Sequence, residues 1–154
     1  MVARLIRLLW RDGDGSAIIE ASLVIPVLMT LVFGVYEFSW YFYQQQLIST
    51  GLRDAARYVA RAPNSPSDPP CYPSTWPAAQ NLAVTGTIDG SGALRVNGWT
   101  AGMVTLTCEQ PVGGINVVNV STNFIDPSLG LFGFLGLSAP TISVFHRERV
   151  IGQG

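Results

Sequence analysis

One long apolar stretch near the start of the chain dominates its pattern of hydrophobic and polar positions. From Ser16 to Tyr36 there are 21 residues and a single charge, Glu20. About 20 apolar residues in a helix, at roughly 1.5 Å rise each, suffice to cross a bilayer core of about 30 Å. The stretch therefore predicts a transmembrane helix. It is followed by four aromatic residues that are typical of a membrane–water interface: Trp40, Tyr41, Phe42 and Tyr43.

Beyond these aromatic residues the helical period continues to Ala60. Arg53, Arg57 and Arg61 form a column on one face, which is typical of a solvated surface. The proline-rich run 63–70 ends the helix, because proline lacks the backbone N–H and restricts the residue before it. Apolar residues on another face recur at spacings of four, three and four, which predicts a stripe that packs against a helix or a sheet: Ile48, Leu52, Ala55 and Val59.

After residue 70 the pattern changes to short apolar runs separated by turn residues. Val104, Leu106 and Cys108 alternate with polar residues, as in a half-buried strand. We expect a small antiparallel sheet laid on the helix, so the predicted fold class is α+β. The runs that predict strands are 82–88, 93–99, 103–108, 115–124 and 141–151.

Composition and charge exclude several functions. Only 12% of residues are charged, there is no lysine, and the formal net charge is −1, so there is no electrostatic case for nucleic acid as a partner. The single histidine, His146, lies in a predicted strand, and the chain has no P-loop, HExxH, Rossmann or nucleophile-elbow motif. Glu20 and Glu37 are about 26 Å apart along a helix, too far to act as a general acid–base pair. The sequence predicts no enzyme, no cofactor and no metal site.

Both cysteines, Cys71 and Cys108, lie beyond the apolar stretch. An even pair outside the cytoplasm is most simply a disulfide, because that environment is oxidising. Two free thiols are the alternative.

The N-terminal residues indicate the orientation of the helix. Arg4, Arg7 and Arg11 precede the apolar stretch, which by the positive-inside rule places residues 1–15 in the cytoplasm. In a secretory signal peptide the apolar core precedes the cleavage site. Here the small-residue junction at Gly15 comes first, so the apolar helix would be kept after cleavage. An uncleaved signal anchor has the same hydropathy and remains the alternative.

This order of parts, with Glu20 five residues after Gly15, resembles the processing site of type IV-type prepilins. The segments 33–38, 44–47 and 55–58 narrow the resemblance to the TadE-like family, pseudopilins of the tight-adherence (Flp) pilus system, over about residues 11–60. The resemblance implies a minor pseudopilin that acts in pilus assembly or initiation. It would cross the bacterial inner membrane once, with its C-terminal domain in the periplasm, and it could be incorporated in the pilus.

The resemblance also implies roles for individual residues. A prepilin peptidase would cut between Gly15 and Ser16. Glu20 would serve peptidase recognition and pair with the N-terminal ammonium of a neighbouring subunit, with a carboxylate that snorkels into the headgroups as the alternative. Glu37, near the outer interface, is either solvated or orients partner subunits. The expected partners are the peptidase, other pilins or pseudopilins, the pilus assembly platform and membrane lipid.

The predicted organisation has three segments: a basic leader (1–15), a transmembrane helix with a periplasmic extension (16–61) and a β-rich periplasmic domain with one disulfide (62–154). The apolar run 129–137 is too short to cross a membrane. It either packs in the core or close to the membrane, or offers an apolar contact to a partner. Two other functions remain open, an uncleaved signal-anchored envelope scaffold subunit and a tethered periplasmic binding module.

Overall fold

The computed structural model describes residues 14–62, 71–110 and 115–151. One helix, α1 (Asp14–Ala60), runs through the whole predicted transmembrane stretch and its extension. The chain divides into two compact units within this helix, an N-terminal unit that ends at Ser39 and a C-terminal unit that begins at Trp40. The long N-terminal helix and the α+β fold class are confirmed.

Three strands form one antiparallel sheet in the C-terminal unit: β1 (Val104–Glu109), β2 (Val117–Ile125) and β3 (Thr141–Arg149). The strands follow one another in the order β1-β2-β3, and Val120 is paired with Leu106 on one side and His146 on the other. Alternate residues of β2 are buried, as a strand with one face on a core requires. The strands predicted at 103–108, 115–124 and 141–151 are thus confirmed, with ends that differ by a few residues.

The two other predicted strands are wrong. Residues 82–85 belong to a second helix, α2 (Trp76–Thr85), and residues 93–99 form an irregular loop. The helix has Pro77 in its first turn and stops at Gly86, whose φ of 80° closes the helix in the left-handed conformation. Proline near the start and glycine past the end are helix boundary signals that outweigh a two-residue alternation of Leu82 and Val84.

The core lies between the C-terminal part of α1, helix α2 and one face of the sheet. The predicted stripe of α1 is fully buried there, which confirms the packing role assigned to it. Trp99 fills the centre with no exposed surface, and its Nε1 donates to Thr122 Oγ1 at 3.1 Å. Gly51 lets α1 and α2 approach closely, because a Cβ there would lie 2.3 Å from the backbone oxygen of Ala83.

Cys71 and Cys108 form a disulfide with their Cα atoms 5.7 Å apart, which confirms the predicted bridge. It joins the segment before α2 to strand β1. Nearby, Trp76 Nε1 donates to the backbone oxygen of Cys71 at 3.0 Å. The disulfide and this hydrogen bond together fix the end of the proline-rich connection onto the core.

The apolar run 129–137 contains a short helix, α3 (Gly130–Phe134). Leu129 is buried, whereas Phe134 is 85% exposed and Leu135 and Leu137 are about half exposed. Internal packing therefore applies to Leu129 and not to the three exposed side chains.

Candidate functional site

The apolar half of α1 exposes its side chains along its whole described length. From Ala17 to Phe33 every side chain is exposed, including all of the large aliphatic ones. A continuous apolar surface of this size is stable only against an apolar environment such as lipid. Among the described residues this is the one helix that is long and apolar enough to cross a membrane.

Three hydroxyl groups of the N-terminal unit donate hydrogen bonds to the backbone of the helix itself. Ser22 Oγ donates to Ile19 O at 2.7 Å, Thr30 Oγ1 to Pro26 O at 2.9 Å, and Ser39 Oγ to Val35 O at 2.7 Å. Since lipid offers no hydrogen-bond partners, a spanning helix must satisfy such groups internally. The three hydroxyl groups are thus compatible with a lipid-facing surface.

The length of α1 exceeds what one crossing of a bilayer needs. Its 47 residues correspond to about 70 Å, more than twice the thickness of a bilayer core. Residues 17–39 alone account for about 35 Å, which is enough for one crossing. The rest of the helix, from Trp40 onward, belongs to the C-terminal unit.

The residues predicted to be processed lie at the start of α1. Gly15 and Ser16 are within its first turn, and Glu20 is exposed one turn later. No described residue forms an ion pair or a hydrogen bond with the side chain of Glu20. Residues 1–13 of the predicted leader (1–15) lie outside the described residues, and the cut between Gly15 and Ser16 stays a prediction.

Glu37 lies on α1 about 26 Å beyond Glu20, as the unbroken helix requires. Its side chain is partly buried, whereas its neighbours Tyr36 and Phe38 are exposed. Its predicted role in orienting partners remains untested.

A buried polar cluster that the sequence did not predict lies where α1 enters the C-terminal unit. Asp126, just after β2, is 3% exposed. Its Oδ2 accepts hydrogen bonds from Trp40 Nε1 at 3.1 Å and from Gln44 Nε2, both on α1. Its Oδ1 accepts from the backbone N–H of Ser128 at 2.8 Å and from Ser128 Oγ at 2.7 Å. These donors offset the cost of burying a carboxylate and tie α1 to the loop after β2.

The sequence carried only a local signal for this cluster. Asp126-Pro127-Ser128 has the composition of a turn in which an aspartate accepts a hydrogen bond from the backbone two residues later. Nothing in the sequence indicates that Trp40, 86 positions away, meets this turn.

A cleft of about 310 Å³ lies beside the cluster. We call it the Trp40 cleft. It is lined by ten residues: Trp40, Tyr43, Gln44, Leu47, Arg95, Val96, Asn97, Asp126, Pro127 and Ser128.

A second, larger cleft of about 520 Å³ is lined by part of the arginine column, Arg57 and Arg61, together with Tyr58 and Thr75. All three arginines of the column are exposed, in agreement with the predicted solvated face. Asp54, between them, forms an ion pair with Arg95 at 2.7 Å.

His146 lies on β3 with its Nε2 3.2 Å from Glu148 Oε2. Both side chains are partly exposed, and no nucleophile stands beside them among the described contacts. In the described part of the chain, no group of three histidine, cysteine or acidic residues could hold a metal ion.

Comparison with known proteins identifies the same part of the chain. The family model described as TadE-like protein matches residues 15–57, so the match begins at Gly15 and ends within the buried part of α1. The predicted resemblance is confirmed over this segment. No curated protein and no solved structure matches the chain.

Proposed function

We propose that this chain, whose residues 15–57 match the TadE-like family, is a minor pseudopilin that acts in assembly or initiation of a tight-adherence pilus. It is inserted with residues 1–15 in the cytoplasm and the C-terminal unit in the periplasm. A prepilin peptidase then removes residues 1–15, and the apolar part of α1 stays in the inner membrane.

The observation that carries this proposal is the position of Gly15 relative to α1. The small-residue junction lies in the first turn of a helix whose following residues, from Ala17 to Phe33, are exposed and almost wholly apolar. A cut at this point leaves the membrane helix on the mature protein, and only the basic leader is lost. Signal peptidase works on the opposite order, with the apolar core before the cut.

In the proposed mechanism Glu20 acts twice. It is first part of what the peptidase recognises after Gly15. Once the cut is made, Ser16 carries a new N-terminal ammonium, and Glu20 of one subunit pairs with the ammonium of the next. Two opposite charges brought together in lipid compensate each other, whereas either one alone is costly there.

The C-terminal unit supplies the surfaces for other subunits. Its core, its disulfide and the polar cluster at Asp126 hold the last turns of α1 rigidly within it. The exposed apolar side chains of Phe134, Leu135 and Leu137 are candidates for contacts with other pilins, pseudopilins or the assembly platform.

The test of processing is Gly15→Leu. A peptidase site shaped for glycine does not accept a bulky side chain, so this variant should keep the full leader. Gly13→Leu makes the same change two residues upstream and should be processed like the wild type. Intact mass and N-terminal sequencing of the protein recovered from membranes distinguish the two forms. A Gly15→Leu variant that begins at Ser16 would contradict the proposed cut.

The test of assembly is Glu20→Gln, which removes the charge and keeps the size of the side chain. The variant should insert yet fail to support pili, because an ammonium left unpaired in lipid costs roughly 3–5 kcal/mol. Intact mass shows whether its leader is still removed, which separates a loss of peptidase recognition from a loss of pairing. Glu37→Gln is the matched control for loss of a carboxylate elsewhere on α1. Wild-type piliation by Glu20→Gln, counted by electron microscopy, would refute the pairing role.

The uncleaved signal-anchored scaffold is the competing function. It makes the opposite prediction for the wild type, which would then be recovered from membranes with residues 1–15 attached.

A further inference from the structure

Two of the residues that line the Trp40 cleft, Trp40 and Tyr43, come shortly after the apolar part of α1. Residues 17–39 of α1 already account for one crossing of a bilayer core, so Trp40 and Tyr43 fall at the membrane surface. Tryptophan and tyrosine are enriched at that depth, because one part of each ring system is apolar and the other is polar. A ligand of this cleft is therefore to be sought among groups found at the membrane surface.

One end of the cleft is negative and lacks a countercharge. Asp126 is buried and accepts hydrogen bonds only from neutral donors: the Trp40 indole, the Gln44 amide, and the Ser128 backbone and hydroxyl. Among the described residues no arginine or histidine forms an ion pair with it. A cation in the cleft would supply the missing charge.

The same end also lacks a hydrogen-bond donor. Gln44 is 5% exposed, and its Oε1 is buried with no partner among the described residues. The orientation of the amide follows from Asp126, because its Nε2 must face the carboxylate and its oxygen is then directed elsewhere. A buried acceptor without a donor is costly, so a ligand with N–H groups fits better than one without.

Two aromatic rings stand beside this negative end. The rings of Trp40 and Tyr43 are 5.7 Å apart between centroids and tilted by 37°, and their side chains are 40% and 55% exposed. Aromatic faces attract ammonium groups, and tryptophan does so most strongly. Two rings and a carboxylate are the components of an ammonium site.

The other charged group of the cleft is a cation. Arg95 is held by Asp54 through one hydrogen bond of 2.7 Å, and a guanidinium has five N–H groups. Its remaining donors suit a phosphate oxygen. The cleft therefore contains one negative and one positive group, a pattern that fits a zwitterion better than a simple cation.

We propose that the Trp40 cleft binds the headgroup of a phospholipid with a primary ammonium, such as phosphatidylethanolamine. The ammonium lies against Asp126, Gln44 and the two rings, and the phosphate lies against Arg95. A volume of about 310 Å³ is at the small end of ligand sites, which suits a headgroup better than a peptide. This inference requires only that α1 crosses a membrane, and it does not depend on the proposed role in a pilus.

The test measures lipid binding to the full chain in detergent by native mass spectrometry, with lipids of equal acyl chains. The probes are phosphatidylethanolamine, its N-methylated forms, phosphatidylcholine and phosphatidylglycerol. Binding should weaken with each added methyl group and be about tenfold weaker for phosphatidylcholine. The reason is that methylation removes the N–H groups that donate hydrogen bonds to Gln44 and Asp126. Phosphatidylglycerol, which has no ammonium, should bind no more tightly than phosphatidylcholine.

A pair of variants locates the binding. Tyr43→Leu removes one ring without touching the hydrogen bonds of Asp126, and it should weaken phosphatidylethanolamine binding severalfold. Phe42→Leu is the matched control, since Phe42 is 58% exposed and does not line the cleft. Equal binding of all the lipids, or equal loss in both variants, would overturn the proposal. The proposal would also be overturned if the wild type bound none of the lipids more tightly than Tyr43→Leu does. The cleft would then be assigned to another occupant, such as a partner's lysine.

Discussion

Gly51 is the position where a single methyl group should do the most damage to the C-terminal unit. A Cβ at this point of α1 would lie 2.3 Å from the backbone oxygen of Ala83 and 3.1 Å from Cη2 of Trp99. The oxygen belongs to helix α2 and cannot rotate away as a flexible side chain could. To accept alanine, α1 and α2 must therefore move apart.

The expected size of the effect follows from two opposing terms. Alanine is favoured over glycine inside a helix by about 1 kcal/mol. Overpacking a well-packed core costs about 1–3 kcal/mol, and a clash with backbone belongs at or above the upper end of this range. The net loss in the free energy of unfolding should be about 2 kcal/mol for Gly51→Ala. For a unit of this size that lowers Tm by roughly 8 °C.

The measurement is thermal unfolding of the full chain in detergent, followed by tryptophan fluorescence, because Trp99 is buried beside the site. Gly34→Ala is the matched control on the same helix, since a Cβ there meets nothing within 4 Å. The control should melt at or slightly above the wild-type temperature. If Gly51→Ala melts as high as the wild type, α1 and α2 do not approach as closely as described.

Three further predictions concern the disulfide, the topology and one carboxylate. Replacing Cys71 and Cys108 by serine should lower the free energy of unfolding by about 4 kcal/mol for a sequence separation of 37, measured by urea denaturation; an unchanged midpoint would contradict this. A reporter that is active only in the periplasm should be active when fused after Gly154, and an inactive but well-expressed fusion would reverse the orientation. The backbone N–H of Ser91 and, second, its hydroxyl lower the pKa of Asp89 in the folded protein. The Asp89 carboxylate therefore stabilises the fold at pH values above its pKa in the unfolded chain, and this stabilisation is lost as the pH falls through its pKa in the folded protein. Ser91→Ala removes the hydroxyl and keeps the backbone N–H, so it should raise the pKa of Asp89 part of the way toward the ordinary value of an aspartate in an NMR titration. An unchanged pKa would refute the contribution of the hydroxyl.

Periodicity over a long segment predicted much of this fold. The stripe from Ile48 to Val59 spans three turns, and every member of it is buried. The strands that begin at Val104, Val117 and Thr141 are predicted from short apolar runs between turn residues, and the first also from its alternation of apolar and polar positions. Length and repetition make such patterns reliable, because a wrong register would expose several apolar side chains at once.

Short segments were harder to predict. Leu82 and Val84 alternate like a strand, yet Val84 is also one turn after Gln80 on the inner side of α2, and Gln80 Nε2 donates to Val104 O at 2.8 Å. In four or five residues the two periods cannot be distinguished, and the capping signals decide.

The two candidate sites also differ in how far the sequence alone could predict them. Gly15, Ser16 and Glu20 lie next to one another along the chain, so the sequence alone could propose them. The Trp40 cleft is assembled from α1, the loop before β1 and the loop after β2. No local pattern relates residues as far apart as Trp40 and Asp126, and tertiary packing alone brings them together.

The two ends of the buried part of α1 are both fastened within the C-terminal unit. Trp40 and Gln44 bond to Asp126 at one end, and at the other the backbone N–H of Ile151 donates to Ala60 O at 3.0 Å. From Trp40 to Ala60 the helix extends about 30 Å, with the packed stripe along it. When tension pulls on the helix along its axis, these attachments carry the load together, so the sheet resists the pull directly and the covalent connection after Ala60 does not bear it alone. A helix held in this way resists unravelling from either end when it is pulled along its axis.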